Sequence, residues 1–415
     1  MTPEEFLERN EFVTATKIDR SALITALLSE MEKGLAGEES SLLMIPSYLD
    51  SFGKIPEGAS AMALDAGGTH FRAGVVSTPA EVRERSDRPM PGSLSEVSTD
   101  EFYSSFVEEV RRLQSMTGGD RLGWCFSYPA ESTPELDAKL VRWTKNIKAP
   151  EIVGHYVGQE LAKRAGLSRV VVVNDTVATL LAIKAVEGDN DYSSYIGFVL
   201  GTGTNVAYVE RRANILKAPA ISATYGTMII NAESGGFDKL PLSTFDRTVD
   251  ERSGNPGYNL LEKQIAGAYL GPIGLEILKG AAKAGLFAGR TSNLIGGLGE
   301  LGAVELNHPE RIFEDEGDVR MARRLLTPVL ERAATLSAIH LAAFAIKSGE
   351  GAETSSPIAI NIDGSTYYKT DLISFADCIR RELDDMLVRR RNINYTIVPA
   401  IADASLIGAA IATLL

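Results

Sequence analysis

The apolar and polar positions of this chain repeat one pattern in two places. Residues 62–76 read MALDAGGTHFRAGVV, and residues 196–209 read IGFVLGTGTNVAYV. Each segment is an apolar strand, a turn of glycine and threonine, and a second, mostly apolar strand, which predicts a β-hairpin. We expect the glycines of such turns to take positive φ and to let backbone N–H groups approach a ligand closely.

Two such hairpins that face each other across a cleft would hold a polyphosphate from both sides. No GxxxxGK[ST] phosphate loop occurs in the sequence, so this would be nucleotide chemistry without that loop. Taken alone, each hairpin is more simply an ordinary glycine turn. The repetition, the threonine in both turns and Asp65 at the end of the first strand favour the phosphate interpretation.

The rest of the pattern alternates helices and strands. Apolar residues at helical spacing predict helices over residues 2–34 (broken once), 100–116, 153–165, 177–185, 259–270, 319–347 (two in succession) and 404–415. Short apolar runs predict strands over residues 122–128, 170–173, 228–230 and 357–362. Polar residues that follow a strand and precede a helix are typical of an α/β fold, in which ligands bind at the carboxyl ends of the strands.

Composition and charge limit the function classes. The 415 residues suffice for two domains, and 44% hydrophobic with 23% charged residues is typical of a globular protein. The net charge of −13 argues against nucleic acid or an anionic membrane as the main partner. The acidic start, the two cysteines and the lack of a membrane-length apolar run predict a cytoplasmic protein. The four histidines show no metal-ligand spacing.

Residues 297–302 match the GxGxxG pattern of dinucleotide-binding folds. That pattern indicates a nucleotide site only between a strand and a helix. No apolar strand precedes these residues, and Pro309 follows where the helix should run, so we set the dinucleotide interpretation aside.

Asp175 is the strongest catalytic candidate. It follows the apolar strand at residues 170–173, which would bring it to the edge of the sheet where ligands bind. A carboxylate at this edge can accept the proton of an attacking hydroxyl group. The alternative is that Asn174, Asp175 and Thr176 only cap the following helix, because Asp and Asn are good N-caps.

Two glutamates and a lysine form a second set of candidates. Glu233 and Glu262 lie near amide and small residues, and carboxylates beside amides are suited to binding sugar hydroxyls. Lys145, which follows Thr144, could orient a sugar hydroxyl or neutralise a phosphoryl group in transfer. Each of these charges, taken alone, is more simply a solvated surface group.

Together, and in order along residues 59–408, these motifs resemble those of the hexokinase family within the sugar kinase/actin/chaperone ATPase superfamily. The segments that carry the resemblance are LDAGGTHFR (64–72), FSYP (126–129), WTKN (143–146), VNDTVATLLA (173–182), LGTGTN (200–205), INAESGGFD (230–238), NPGYNLLEKQIAGAYLG (255–271) and NIDGSTYYK (361–369). Any one of them is a weak signal, whereas so many in order are a strong one.

The resemblance implies ATP-dependent phosphorylation of a hexose, most simply glucose, at its 6-hydroxyl, with ATP and Mg²⁺ as cofactors. Asp175 would be the general base, and Lys145 would assist catalysis. The sugar would be held by Ser127, Thr144, Lys145, Asn174, Asp175, Asn205, Glu233 and Glu262. Mg-ATP would be contacted by Asp65 (reaching the magnesium through water), Gly67, Gly68, Thr69, Arg72, Gly201, Thr202, Gly203, Gly364 and Ser365.

The resemblance also implies the architecture and the partners. The fold would be α/β, with two ribonuclease H-like lobes, as in actin-like ATPases, around a deep cleft. Residues 59–174 plus 404–415 would form the small lobe, and residues 1–58 plus 175–403 the large lobe. The partners would be a small-molecule hexose and Mg-ATP, with no nucleic acid and no membrane, and the chain would be a monomer or a homodimer.

The chain departs from the family pattern in three places. His70 stands where the family usually has Asn, which bears on phosphate contact. Ser234 and Gly235 replace an aromatic-Gly pair after the first glutamate, which bears on the shape of the sugar pocket. Residues 402–408 replace a glycine-rich stretch near the nucleotide, which bears on nucleotide affinity and base preference.

Two other functions stay open from the sequence. A non-catalytic hexose sensor on the same fold is motivated by His70 and by the altered segment near the C-terminus. A nucleotide switch of the actin or chaperone kind would use the two hairpins. The switch would leave Thr144, Lys145, Glu233 and Glu262 without a role.

Overall fold

Two β-sheets and the helices around them account for most of the chain. The computed structural model describes residues 1–50, 53–144, 146–187, 190–287 and 289–415. The strands are β1 (Ile45–Pro46), β2 (Ser60–Ala66), β3 (His70–Ser77), β4 (Glu81–Pro89), β5 (Arg121–Phe126), β6 (Ala130–Ser132), β7 (Ala138–Leu140), β8 (Arg169–Val173), β9 (Ser194–Leu200), β10 (Thr204–Arg211), β11 (Thr227–Asn231), β12 (Ile358–Asp363) and β13 (Tyr395–Ile397).

Helices alternate with these strands along the chain. They are α1 (Pro3–Arg9), α2 (Arg20–Ala36), α3 (Thr99–Thr117), α4 (Val157–Ala165), α5 (Asp175–Glu187), α6 (Pro219–Ser222), α7 (Thr244–Glu251), α8 (Leu260–Ile265), α9 (Gly267–Lys283), α10 (Gly289–Gly297), α11 (Ala303–Asn307), α12 (Glu316–Ser348), α13 (Ser365–Lys369), α14 (Phe375–Leu383) and α15 (Ala404–Ala412). A π-helical segment, Asp384–Arg389, continues α14.

The two sheets share one topology. The larger sheet has the order β1-β11-β10-β9-β12-β13, and the smaller has the order β4-β3-β2-β5-β8. In each, an antiparallel hairpin is extended by parallel strands: β9 and β10 with β12 and β13, and β2 and β3 with β5 and β8. This repeated topology confirms the predicted two-lobe α/β fold. The division of the lobes at residues 59–174 plus 404–415 and 1–58 plus 175–403 stays a prediction.

Local sequence signals set several element boundaries. A capping box begins α1, because Thr2 Oγ1 accepts the Glu5 N–H and the Glu5 carboxylate accepts the Thr2 N–H. The predicted single break in the N-terminal helix lies between Arg9 and Arg20. Gly37 ends α2 in the left-handed conformation that glycine adopts without strain.

Three helix predictions are wrong in extent, each for a structural reason. Residues 319–347 form one helix rather than two, because α12 is packed into the core and continues through Pro328. The helix expected over residues 259–270 is broken at Ala266, where the backbone is extended. The break lets the Gly267 N–H bind the Gly201 carbonyl at 2.8 Å. The helix expected from residue 153 begins only at Val157.

Five strands of the described residues were not predicted from the sequence: β1, β4, β6, β7 and β13. Strand β4 is a mostly exposed edge strand with the sequence EVRERSDRP, so it lacks the apolar alternation that predicts a strand. Strand β13 is only three residues long. Helix α12 is by length and composition able to cross a membrane, but 89% of its most apolar 18-residue window is buried within the fold. It is therefore best described as a core helix.

Two helices connect the sheets through contacts between backbones. Helix α5 packs on the larger sheet, α15 packs on the smaller sheet, and the two helices pack on each other. Ideal Cβ atoms built on Gly123 of β5, Gly197 of β9 and Gly408 of α15 would lie only 1.8, 2.4 and 1.9 Å from a backbone oxygen of the facing helix. Glycine is therefore required at all three positions, which we call the glycine contacts of α5 and α15.

Replacing Gly408 by Ala should destabilise the protein by about 2–3 kcal/mol, because the new methyl group would overlap the Ala178 carbonyl. The free energy of unfolding from urea denaturation measures this. Gly296→Ala in α10 is the matched control, because a Cβ there meets open space and should change stability by less than about 1 kcal/mol. Equal stability of Gly408→Ala and wild type would contradict the packing described here.

Candidate active site

Several carboxyl groups surround Asp175. Asp65 lies in β2, Asp363 ends β12, and Glu233 follows β11, so these side chains come from both sheets. Burial raises the pKa of Asp65, Glu233 and Asp363 above the ordinary range, and the negative charge of Asp175 raises each of these pKa values further. Glu262 in α8 also raises the pKa of Glu233. Four residues that the sequence analysis singled out, Asp65, Asp175, Glu233 and Glu262, are thus brought together at one site.

Asp175 is not the N-cap residue of α5, although its side chain also accepts a hydrogen bond at the start of that helix. Helix α5 begins at Asp175, so Asn174 occupies the N-cap position. The Asn174 Oδ1 accepts the Thr176 N–H at 2.9 Å and the Thr176 hydroxyl at 2.6 Å. Asp175 itself is half-buried, and its Oδ1 accepts the Thr176 N–H at 2.9 Å. A half-buried carboxylate at the end of a parallel strand is suited to accept a proton from a bound hydroxyl.

A network of side-chain amides joins the start of α5 to Glu233. The Asn205 Nδ2 donates to Asn231 Oδ1 at 2.7 Å and to the Thr176 hydroxyl at 3.3 Å, while its Oδ1 accepts the Ser234 N–H at 3.1 Å. The Asn231 Nδ2 in turn donates to Glu233 Oε1 at 2.9 Å. Asn205 therefore spends much of its hydrogen-bonding capacity inside the protein, and its contact with the sugar stays a prediction.

Asn231 and Thr176 are residues of this network that the sequence analysis missed. Asn231 is almost fully buried, and Thr176 is fully buried. Asn231 stands two residues before Glu233, and its place at the end of an apolar strand is the signal that could have identified it. Thr176 thus belongs to the same segment as Asp175, and Asn231 to the same segment as Glu233.

Glu233 and Glu262 are held in place by backbone geometry. Glu233 adopts left-handed φ and ψ of 51° and 47° between β11 and the following turn. The Glu262 Oε2 accepts the Thr204 N–H at 3.1 Å, and a Cβ on Gly203 would lie 2.7 Å from the same oxygen. A side chain in place of Gly203 would therefore displace the Glu262 carboxylate.

Ser234, at the position where the family usually has an aromatic residue, is completely buried. Its hydroxyl lies 3.3 Å from Asn205 Oδ1, in addition to the backbone hydrogen bond. A Cβ on Gly235 would lie 2.9 Å from the Thr204 carbonyl oxygen. This departure thus replaces an aromatic ring by a polar contact that orients Asn205.

The turn of the first hairpin is exposed and carries the remaining phosphate candidates. Gly67 accepts the Tyr128 hydroxyl, and the Thr69 hydroxyl lies 3.1 Å from His70 Nδ1. The expected positive φ is wrong: within the described part of the chain, Gly67, Gly68, Gly201 and Gly203 all lie outside that region. At Gly67 the small size of glycine matters instead, because a Cβ there would lie 3.0 Å from the His70 carbonyl oxygen.

The second hairpin turn meets the segment after β12. Gly201 accepts the Thr366 hydroxyl at 2.8 Å, and Gly364 has φ of 117°. A Cβ on Gly364 would lie 2.4 Å from the Leu200 carbonyl group, so only glycine fits. Ser365 and Thr202 are exposed beside this contact. The structure thus brings the candidates Gly201, Thr202, Gly364 and Ser365 together.

Arg72 carries the positive charge of the site. It lies directly opposite Asp65 in the β2–β3 ladder, and its guanidinium forms an ion pair with that carboxylate. Its positive charge lowers the pKa of Asp363, against the larger effect of burial, so Arg72 also reaches toward the end of β12. Arg72 is thus beside both groups of phosphate candidates.

Ser127 and Thr144 are two further sugar candidates within the described residues. The Ser127 hydroxyl is 3.7 Å from the Cys125 sulfur, at the end of β5. Burial raises the pKa of the Cys125 thiol, and the charges of Asp65 and Asp175 raise it further, so this thiol stays protonated. Thr144 is half-buried, whereas Lys145 lies outside the described residues.

Family models, a curated relative and solved structures each match most of the length of this chain. Two family models, both described as hexokinase, match residues 8–185 and 195–415. The chain is 32% identical to Hexokinase-2 of Oryza sativa subsp. japonica, over 93% of this chain and 86% of that protein. It is similar to the glucose-complexed hexokinase of Schistosoma mansoni, with 25% identity, a TM-score of 0.77, and coverage of 99% and 98% of the two chains. A second hexokinase crystal structure, 23% identical with a TM-score of 0.81 and 99% coverage of both chains, shows the same fold.

Replacing Glu233 by Gln should stabilise the ligand-free protein at neutral pH. Because the pKa of Glu233 is raised in the folded state, its ionisation costs stability as the pH rises through that raised pKa, and the cost vanishes below about pH 4. We expect a melting temperature about 2 °C or more above wild type at pH 7.5 and a smaller difference at acidic pH.

The exposed Glu57 provides the matched control, and Glu57→Gln should melt as wild type does at both pH values. A Glu233→Gln protein that is less stable than wild type at pH 7.5, or a difference that does not change with pH, would contradict the electrostatic account of this site.

Proposed function

The chain belongs to the hexokinase family, which transfers a phosphoryl group from ATP to a hexose, and we propose that its acceptor is the 6-hydroxyl of glucose, with Asp175 as general base. One observation carries the proposal: Asp175 follows the N-cap residue Asn174 at the start of α5 and stands among carboxylates from both sheets. The similarity to a hexokinase that was solved with glucose supports glucose as the acceptor.

Asp175 would accept the proton of the sugar hydroxyl as that oxygen attacks the terminal phosphorus atom. Transfer of this kind depends mainly on positioning and on charge neutralisation. The start of α5 is fixed by the glycine contacts of α5 and α15, so the base carboxylate sits on a rigid support. A fixed base keeps the attacking oxygen in line with the leaving group.

Carboxylates and amides would hold the sugar. Glu233 Oε1 accepts a hydrogen bond from Asn231, whereas Glu262 accepts one from the Thr204 N–H at Oε2 and one from the Asn259 amide at Oε1. Each carboxylate has further lone pairs, which are suited to accept hydrogen bonds from neighbouring hydroxyl groups of a sugar. Ser127, Thr144 and Asn174 would add further contacts with the sugar. Lys145 stays a predicted sugar contact that would assist catalysis.

The two hairpin turns and the segment after β12 would contact the nucleotide. Gly364 leaves no room for a side chain, and a side chain at Gly203 would displace the Glu262 carboxylate. The backbone itself is therefore presented at the positions expected to face phosphates. Gly67, Gly68, Thr69, Arg72, Gly201, Thr202 and Ser365 are the other proposed contacts.

The charge of the site supports a requirement for Mg²⁺. Asp65, Asp175 and Asp363 would repel the phosphates of ATP, and a divalent cation bound to those phosphates would offset that repulsion. In the described residues no group of three His, Cys, Asp or Glu side chains is arranged to hold a metal ion. Asp65 is therefore expected to meet a metal ion that arrives with the nucleotide, through water.

Replacing Asp175 by Asn should lower kcat by about 10² to 10⁴, because the amide cannot accept the proton. Hexose-dependent release of ADP from Mg-ATP measures this. The rise in melting temperature caused by glucose should remain, because Asn keeps the shape and much of the polarity of the site. Wild type should release ADP with glucose and much more slowly without sugar.

The exposed Asp191 supplies a control, and Asp191→Asn should keep wild-type activity. Full activity of Asp175→Asn would exclude Asp175 as the base. Faster release of ADP with mannose or fructose than with glucose would change the proposed acceptor. Release that does not depend on any sugar would instead support the nucleotide switch, and glucose-induced stabilisation without release would support the sensor.

A further inference from the structure

Asp403 begins α15 in an unusual way. Its backbone adopts left-handed φ and ψ of 55° and 31°, and its side chain makes no capping hydrogen bond with the helix. Asp is among the best N-caps when its backbone is extended, and it is one of few residues that tolerate the left-handed region. The carboxylate of Asp403 is thus turned away from its own helix.

This carboxylate joins two arginines of the smaller sheet. Asp403 Oδ1 lies 3.2 Å from Arg72 Nη1, and Oδ2 lies 3.2 Å from Arg85 Nη1. The other terminal nitrogen of Arg72 pairs with the buried carboxylate of Asp65. Arg72 is therefore held from two sides, by β2 and by the start of α15.

We propose that Asp403 is a positioning residue for the nucleotide site, which keeps the Arg72 guanidinium in place when Asp65 turns to the metal–nucleotide complex. This inference rests on the proposed function, in which Asp65 and Arg72 both face the phosphates. If Asp65 were the sole partner of Arg72, nucleotide binding at Asp65 would release a long side chain and its rotamer freedom. A second carboxylate prevents that release.

The chemistry of the guanidinium allows this exchange. Arg has five N–H donors in a planar fork, so it can keep one carboxylate and present its remaining donors to phosphate oxygens. Arg85 contacts the second oxygen of Asp403, whereas Arg72 contacts the first, so the two arginines bind separate oxygens of this carboxylate.

The support behind Asp403 is rigid. Helix α15 packs on β2 and β5, and Gly123 brings its backbone into direct contact with the smaller sheet. Arg72 is thereby tied to the same helix that contacts α5, whose first residue is Asp175. The network links the nucleotide side of the site to the helix that carries the base.

Asp403→Asn tests the proposal, since Asn also tolerates the left-handed backbone and removes only the charge. Titration with a non-hydrolysable ATP analogue and Mg²⁺, with glucose present, should give a Kd raised by about tenfold. The KM for ATP should rise by a similar factor, whereas the Kd for glucose and the melting temperature should stay near the wild-type values.

Arg85→Gln is the matched control, because it removes a partner of Asp403 but leaves the pair between Asp403 and Arg72. Its nucleotide Kd should stay within about twofold of wild type. An unchanged nucleotide Kd in Asp403→Asn would overturn the inference. So would equal losses in both variants of glucose affinity, nucleotide affinity and melting temperature, which would indicate a purely structural tie.

The wild-type protein separates this inference from the proposed function. If wild type transfers phosphate to no hexose, the proposed function fails, while the nucleotide Kd values of wild type and Asp403→Asn still decide whether Asp403 positions Arg72.

Discussion

The backbone contact between α5 and α15 is the constraint on which the site depends. Gly408 lets α15 touch the carbonyl of Ala178 in α5, while Gly123 and Gly197 let the same two helices touch the smaller and the larger sheet. Because each sheet is bound to one of the two helices, the contact fixes where the hairpin turns of both sheets lie. It also fixes the start of α5, and with it Asp175.

The site gathers negative charge at a cost to the ligand-free fold. Burial and mutual repulsion raise the pKa of Asp65, Glu233 and Asp363, whereas Arg72 is the cation that offsets part of this charge at Asp65 and Asp363. A cluster of this kind is favourable once sugar hydroxyls and a cation-bound nucleotide fill it, which is the usual trade of stability for function. Because the site and the nucleotide are both negatively charged, their association requires a cation between them.

Sequence patterns predicted the two hairpins, the strand and the helix on either side of Asp175, and the C-terminal helix. Apolar runs and glycine turns determine these elements locally. They failed where distant contacts decide. Burial carries α12 through Pro328, and the mostly polar strand β4 is recognisable only from its pairing with β3. Asp403 acquires its role from Arg72 and Arg85, which lie far away in the chain, so no local pattern marks it. The positive φ expected in the hairpin turns is replaced by close packing.

Transfer of phosphate from ATP to the 6-hydroxyl of glucose is the reaction that we propose for this two-lobed site. Phosphorus NMR of the products formed from Mg-ATP and glucose is the first measurement to make. We expect equal amounts of ADP and glucose 6-phosphate. Inorganic phosphate without a sugar phosphate, or a phosphate on another hydroxyl of glucose, would contradict it.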